Sequence, residues 1–207
     1  MAGDAGLRGR IFAALTGNTA ADVTGKSDDI RGMLMAVGGA SSKTRSGIDL
    51  TKAAGSLGVS RRTVERWVKT AETGTGQRPS PTHSKTLAGK ARQAASTKTG
   101  RKAALSRIRA AKTFARGARI SISGMQGPHA AGRDYLRSRT TQLELDPDAA
   151  EAMLNAYEQG GEKGFTAWAT NHWGIDGGDG APAYLDDWRF ESMDSVDIEG
   201  PYGGGWR

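Results

Sequence analysis

The chain has 207 residues, only 37% of them hydrophobic and 30 of them glycine, so its compact part is expected to fall short of its full length. Cysteine is absent, which excludes disulfides, thiolate metal sites and cysteine catalysis. With no signal peptide and no long apolar run, the expected setting is soluble and intracellular, in cytoplasm or nucleoid. The net charge of +7 hides a segregation: residues 1–59 carry +2, residues 60–140 carry +16 and residues 141–207 carry −11. A centre that basic repels itself unless a polyanion screens it, and nucleic acid is the expected polyanion.

Leu7, Ile11, Phe12 and Leu15 fall at helical spacing, GNTAADVTG interrupts, and Ile30, Met33, Leu34 and Val37 resume the pattern before GGASSKTRSG breaks it again. Residues 1–46 therefore read as helical support and loop, with no chemistry of their own. Their apolar side chains are expected to cover the pair of helices next in the chain, because two helices alone cannot bury a core.

The segment LTKAAGSLGVSRRTVERWVK, Leu50 to Lys69, reads as a helix-turn-helix within residues 47–72. Ala54 lets a partner helix approach, Gly58 sits where the turn needs a positive φ, and Ser60 is placed to cap the second helix. Val64, Trp67 and Val68 recur at three- and four-residue spacing as its buried face. Arg61, Arg62, Thr63, Glu65, Arg66 and Lys69 are left outside. With Ser60, the hydroxyl and basic members of that set are the candidate DNA contacts, Arg61, Arg62 and Thr63 being best placed for base edges. Packing alone explains the apolar positions and leaves the cations unexplained.

Residues 73–117 read as a basic linker and helix. ETGTGQRPSPTHSK lacks apolar periodicity and is expected to be flexible. From Thr86 to Arg116 a thin stripe of Leu105, Ile108 and Phe114, divided at Gly100, lies among many cations. Arg101, Lys102, Arg107 and Arg109 are its candidate DNA contacts, on a helix expected to lie along DNA and to order on binding it.

Residues 118–199 read as a small acidic α+β domain. ARISISG alternates with period two, placing Ser121 and Ser123 on one face beside Arg119, and FESMDSVDIEG alternates through Met193, Val196 and Ile198, so the two strands are expected to pair with opposite charges facing. DPDAAEAMLNAYEQGG has Asp146 as cap, Pro147 at the first helical position and a terminal glycine pair. It precedes a second helix, EKGFTAWATNHWGID, whose Phe165, Trp168, Ala169 and Trp173 read as core rather than as a base-stacking platform. GGDGAP reads as a turn and residues 200–207 as a flexible tail. The expected class is thus mainly α with a small β element (α+β): an N-terminal helix-turn-helix domain, a basic helical linker and a small acidic C-terminal domain.

Histidines at 83, 129 and 172 show no metal-ligand spacing, no phosphate loop or catalytic set stands out, and neither cofactor nor metal is expected. The chain reads as a DNA-binding protein without enzymatic activity of its own.

The run LGVSRRTVERWVK, followed by a basic helix, a short β segment, the helix AEAMLNAYEQGG and the acidic strand FESMDSVDIEG, resembles the telomere terminal proteins of linear actinobacterial (Streptomyces-type) chromosomes and plasmids. The resemblance spans roughly residues 50 to 199. The N-terminus, the glycine-rich linker and the tail are longer than the family's. It implies a protein that binds telomeric ends with a telomere-associated partner and primes end-patching synthesis by a DNA polymerase. A Ser or Thr hydroxyl would then attack the α-phosphate of an incoming nucleotide while the polymerase supplies the metal ions. Exposed hydroxyls near cations meet that need: Ser121 and Ser123 beside Arg119, and Ser138, Thr140 and Thr141 beside Arg137 and Arg139. Two rivals stand: a helix-turn-helix transcriptional regulator of a plasmid, phage or mobile element, working as a homodimer on duplex DNA, and a non-specific DNA packaging or scaffolding protein. None of the three calls for a membrane.

Overall fold

Most helices of this chain begin behind a side chain that accepts a hydrogen bond from an early backbone N–H, and two of these start on proline. Asp29 accepts from Gly32 ahead of α2 (Ile30–Gly38), Asp49 from Lys52 ahead of α3 (Leu50–Leu57), and Ser60 from Thr63 ahead of α4 (Arg61–Thr73). Asp146 accepts from Ala149 at 2.8 Å ahead of α7 (Pro147–Asp176), and Ser80 accepts from His83 ahead of α5 (Pro81–Ser96), where Pro81 supplies a preset φ. The computed structural model describes residues 6–26, 28–110, 114–176 and 187–199. The expected GGDGAP turn, the tail at 200–207 and Lys112 lie outside them. The fold is mixed α+β, with seven helices and a five-stranded antiparallel sheet among the described residues, and it divides into two units, Met1–Ala104 and Leu105–Arg207.

In the first unit, α1 (Gly6–Thr16) buries Ile11, Phe12 and Leu15, and α2 buries Met33 and Leu34. Of these, Phe12, Met33 and Leu34 join α3 and α4 in one apolar cluster that includes Ile48, Leu57, Val64 and Trp67. That cluster continues into α5 through Leu87, Ala91, Ala94 and Ala95. The expected flexible linker is therefore corrected. Its glycine-rich part folds back on α4, with the Thr70 hydroxyl 3.1 Å from Gln77 O, and His83 rests on the Trp67 ring at 5.5 Å between centroids. What the sequence pattern lacked was an apolar period, because α5 packs through alanines whose small side chains let backbones approach. A helix laid on DNA to become ordered is likewise corrected for α5, which is already one wall of a core. The break between α5 and α6 (Lys98–Arg109) falls at Thr97, whose hydroxyl accepts from Gly100 N at 3.0 Å, rather than at Gly100.

In the second unit every strand pairs with β1 (Ala118–Ala130). Along one edge lie β3 (Arg137–Leu145) and the short β2 (Arg133–Asp134); along the other lie β5 (Ser195–Glu199) and then β4 (Asp187–Phe190). The expected pairing of the two alternating strands is present, with Arg119 opposite Glu199 and Ser121 opposite Asp197. Three details differ from expectation. β1 runs on to Ala130, β3 is an added strand, and FESMDSVDIEG is split between two strands by a bend at 191–194. At that bend Asp194 N donates to Ser123 O and Glu191 N to Met125 O. Gly124 sits opposite it, and a Cβ there would stand 2.2 Å from Ser192 O.

The covered face of the sheet holds Ile120, Ile122, Val196 and Ile198, which share the unit's core with Met153, Leu154, Tyr157, Phe165 and Trp173 of α7. Helix α7 breaks at Gly161, where φ 62 and ψ −140 are conformations open to glycine, so the two helices expected at 146–176 appear on either side of that residue. Phe165, Ala169 and Trp173 are buried as expected, Trp173 meeting Phe190 edge to face at 5.6 Å, whereas Trp168 is only half-buried and stacks on His172 at 5.0 Å.

Candidate nucleic-acid interface

Helix α3 ends at Gly58, which takes φ 66 and ψ 31, and Val59 N donates to Ala54 O at 3.1 Å to close the turn. Ser60 then starts α4 in extended conformation. Its Oγ accepts from Thr63 N at 3.1 Å and lies 2.8 Å from Thr63 Oγ1. Both hydroxyls are thus engaged in the cap, which leaves the guanidinium and ammonium groups as the freer members of the set. Val64, Trp67 and Val68 are buried, each at most 4% exposed, and the opposite side of α4 shows Arg61, Arg62, Arg66 and Lys69 to solvent.

Those four cations are not equivalent. Arg61 Nε lies 3.0 Å from Glu65 one turn on, an exposed pair that exchanges readily for a stronger anionic partner. Arg66 reaches Gln77 Oε1 at 3.5 Å. Arg62 and Lys69 have no acidic partner among the described residues. The stripe 62, 66, 69 therefore holds the least compensated positive charge on the helix.

The other candidate cations divide sharply. Lys102 and Arg107 are exposed. Arg101, expected outside, is 6% exposed and donates from Nη1 to Ala95 O at 3.2 Å, so its charge closes the end of α5. Arg109 donates to Glu151 at 3.0 Å, to Asn155 at 2.8 Å and to Glu158, anchoring α6 to α7. Burial works against its charge, but the bonds to Glu158 and Glu151 outweigh that and hold its pKa above the ordinary value. Neither Arg101 nor Arg109 is available as a phosphate contact. One-dimensional spacing placed both on an outer face because the approach of α5 and α7 is a tertiary event.

The candidate priming hydroxyls are also separated. Ser121, Ser123 and Thr140 lie on the face of the sheet away from α7, in register with Gln142, Asp197 and Ser195, and Ser123 Oγ is 2.7 Å from Thr140 Oγ1. Ser138 lies at the open end of the same face. Thr141 is turned inward, 8% exposed, and donates to Gln126 Oε1 at 2.7 Å; that same oxygen accepts from Trp188 Nε1 at 3.2 Å. Its expected role as a solvent-facing hydroxyl is corrected by the pleat, which sends neighbouring residues to opposite faces. Arg119 is paired with Glu144, so the cation beside Ser121 is partly answered.

Among the described residues no three His, Cys, Asp or Glu side chains gather to hold a metal ion, and no helix is long and apolar enough to cross a membrane. No protein-family model, curated protein or solved structure matches the chain.

Proposed function

We propose that the chain is a DNA-binding protein in which α3, the Gly58 turn and α4 form a helix-turn-helix, with α4 entering the major groove. The observation that carries this reading is the division of α4 into a buried apolar side and an exposed cationic side on which Arg62 and Lys69 have no acidic partner among the described residues, directly after a capped N-terminus. Arg61 and Arg62 at its start are placed for base edges, and Arg66 and Lys69 for phosphates. Lys102 and Arg107 add non-specific charge.

Within that reading, the proposed setting is the end of a linear replicon. The resemblance of LGVSRRTVERWVK to actinobacterial telomere terminal proteins supports it, and so does the cluster of hydroxyls on one sheet face, Thr140 exposed and Ser121 and Ser123 half-buried. One of these hydroxyls would take the first nucleotide, losing its proton and releasing pyrophosphate, with metal ions from the partner polymerase. The test is incubation with labelled deoxynucleotide, polymerase extract and telomeric template, followed by denaturing electrophoresis and peptide mapping. Label on a peptide from β1 or β3 is the expected result; no covalent label, under conditions that label a known terminal protein, ends the priming proposal.

A transcriptional regulator is the second reading, favoured by a specific feature of the same face. Ser121 and Ser123 belong to a strand paired on both edges, so neither can enter another enzyme's active site without the rest of the sheet. A regulator would prefer one palindromic duplex, whereas a terminal protein would prefer ends with single-stranded overhangs.

A further inference from the structure

The loop between α2 and α3, which the sequence leaves as plain connection, forms one wall of a groove beside α4. Its volume is about 360 Å³. Lys43 and Arg45 come from the loop, Arg61 and Lys69 from α4, and Leu50 and Val68 contribute apolar surface. Glu65 and Glu72 also line it, but each carboxylate is already answered, Glu65 by Arg61 at 3.0 Å and Glu72 by Arg31 at 3.4 Å. Lys43, Arg45 and Lys69 have no acidic partner among the described residues. The groove thus carries an excess of positive charge that no acid among the described residues neutralises.

The loop is also braced. Ala40 and Ile48 form a bridge at its neck, Ser41 N donates to Gly47 O at 2.8 Å, and Gly47 turns the chain at φ 73. The Thr44 hydroxyl donates to Ile48 O at 2.7 Å, and Arg31 Nη2 donates to Ser46 O at 2.7 Å while its Nε holds Glu72 of α4. One arginine therefore ties the loop to the helix. The Ser41, Thr44 and Ser46 hydroxyls are engaged in keeping the loop's shape, and the Lys43 and Arg45 heads at its tip are the charges that remain for a ligand.

We propose that this groove is a seat for the phosphodiester backbone of duplex DNA, with Lys43 and Arg45 straddling phosphates next to the base pairs met by α4. The proposal rests on the helix-turn-helix reading and extends it to a second element. The chemistry is phosphate recognition by point charges and a guanidinium fork, and a braced loop loses little conformational entropy when it engages. Such contacts position a protein on DNA without reading sequence.

The test uses the full chain with Lys43→Gln and Arg45→Gln combined, and Ser42→Ala in the same exposed loop as control. Duplex affinity is measured across a salt series on preferred and scrambled duplexes, alongside titration with inorganic phosphate alone. The expected result is about a tenfold loss of affinity on both duplexes, an unchanged ratio between them, and a log–log salt slope shallower by about 1.8, two phosphate contacts at roughly 0.9 each. The control should match wild type, and unchanged hydrogen exchange in α4 would show the double variant folded. An unchanged slope overturns the seat alone, while the α4 reading stands if wild type still prefers one duplex. Wild type that binds duplex without preference, together with a slope reduced in the double variant, removes the α4 reading and leaves the seat. Saturable binding of inorganic phosphate at the loop with no effect on the duplex slope would reassign the groove to a free anion and overturn the DNA version.

Discussion

The two units handle positive charge in opposite ways. Residues 1–104 carry 18 Lys/Arg against 7 Asp/Glu, a net of +11, and residues 105–207 carry 11 against 15, a net of −4. In the second unit Arg109, Arg119 and Arg189 are met by Glu151 and Glu158, by Glu144 and by Asp134. In the first, Arg62, Lys69, Lys43 and Arg45 face solvent with no acidic partner among the described residues. The charge of those three arginines holds the second unit's own elements together, whereas the charge of these four first-unit cations is answered by no acid among the described residues. Sequence position alone drew the line elsewhere, assigning +16 to residues 60–140, because the boundary between the units, at Ala104 and Leu105, is set by tertiary contacts.

The contrast can be broken from either side. The largest effect is expected from Gly124→Val, which would drive a side chain into the Ser192 carbonyl; a loss of about 3 kcal/mol or more is expected from such overpacking against backbone. Hydrogen exchange of the full chain should show protection lost in β1, β4 and β5 with α1 to α5 unchanged. Loss of protection in both units would mean that they do not fold separately. Next comes Arg109→Ala, which removes the arginine from the 8% exposed side chain of Glu158 and should cost about 3 kcal/mol, read as a lower unfolding midpoint for the second unit and unaltered duplex affinity. Weaker duplex binding in that variant would return Arg109 to the interface.

Replacing Arg61 and Arg62 together by alanine should do the reverse, lowering affinity for a preferred duplex about 30-fold, or about 2 kcal/mol, with stability unchanged. Lys102→Ala with Arg107→Ala should cost less; equal losses on a specific duplex would remove the recognition role of α4. The smallest effect is expected at the hairpin of β1 and β2, where Ala131 is held at φ 49 beside Gly132 at φ 72 in a two-residue turn. Ala131→Gly should raise the second unit's stability by about 0.5–1 kcal/mol in denaturant melts, since the left-handed region is costly for a residue with a Cβ. A neutral or destabilising result would show that the turn holds no strain worth relieving.

Much of the fold was readable from local chemistry. Gly58, Ser60, Asp146 and Pro147 act through bonds to residues within a few positions, and a sequence displays those directly. The alternation of Thr141, Leu143 and Leu145 with Thr140, Gln142 and Glu144 was equally plain and marks β3, so that strand could have been found. The burial of Arg101 could not, since it depends on where α5 ends relative to α6. The packing of α5 was hidden for a related reason: alanine is neutral in a hydropathy pattern and becomes core once another helix lies against it. The basic groove was hidden most deeply, as Lys43 and Arg45 stand some 16 positions or more from the nearest helix cation with which they share it, Arg61.

β1 has one further consequence, for the order in which the molecule can form. Its partners are made late: Ser121 pairs with Gln142 on one side and with Asp197, 76 positions onward, on the other. Contacts of that separation close slowly, and on a ribosome adding roughly 5–20 residues each second the cationic unit is complete roughly 5–20 s before the last strand of the sheet emerges. During synthesis the chain is therefore a strongly positive folded body trailing an unfinished acidic one. Nucleic acid near the ribosome meets the first unit before the second has taken shape.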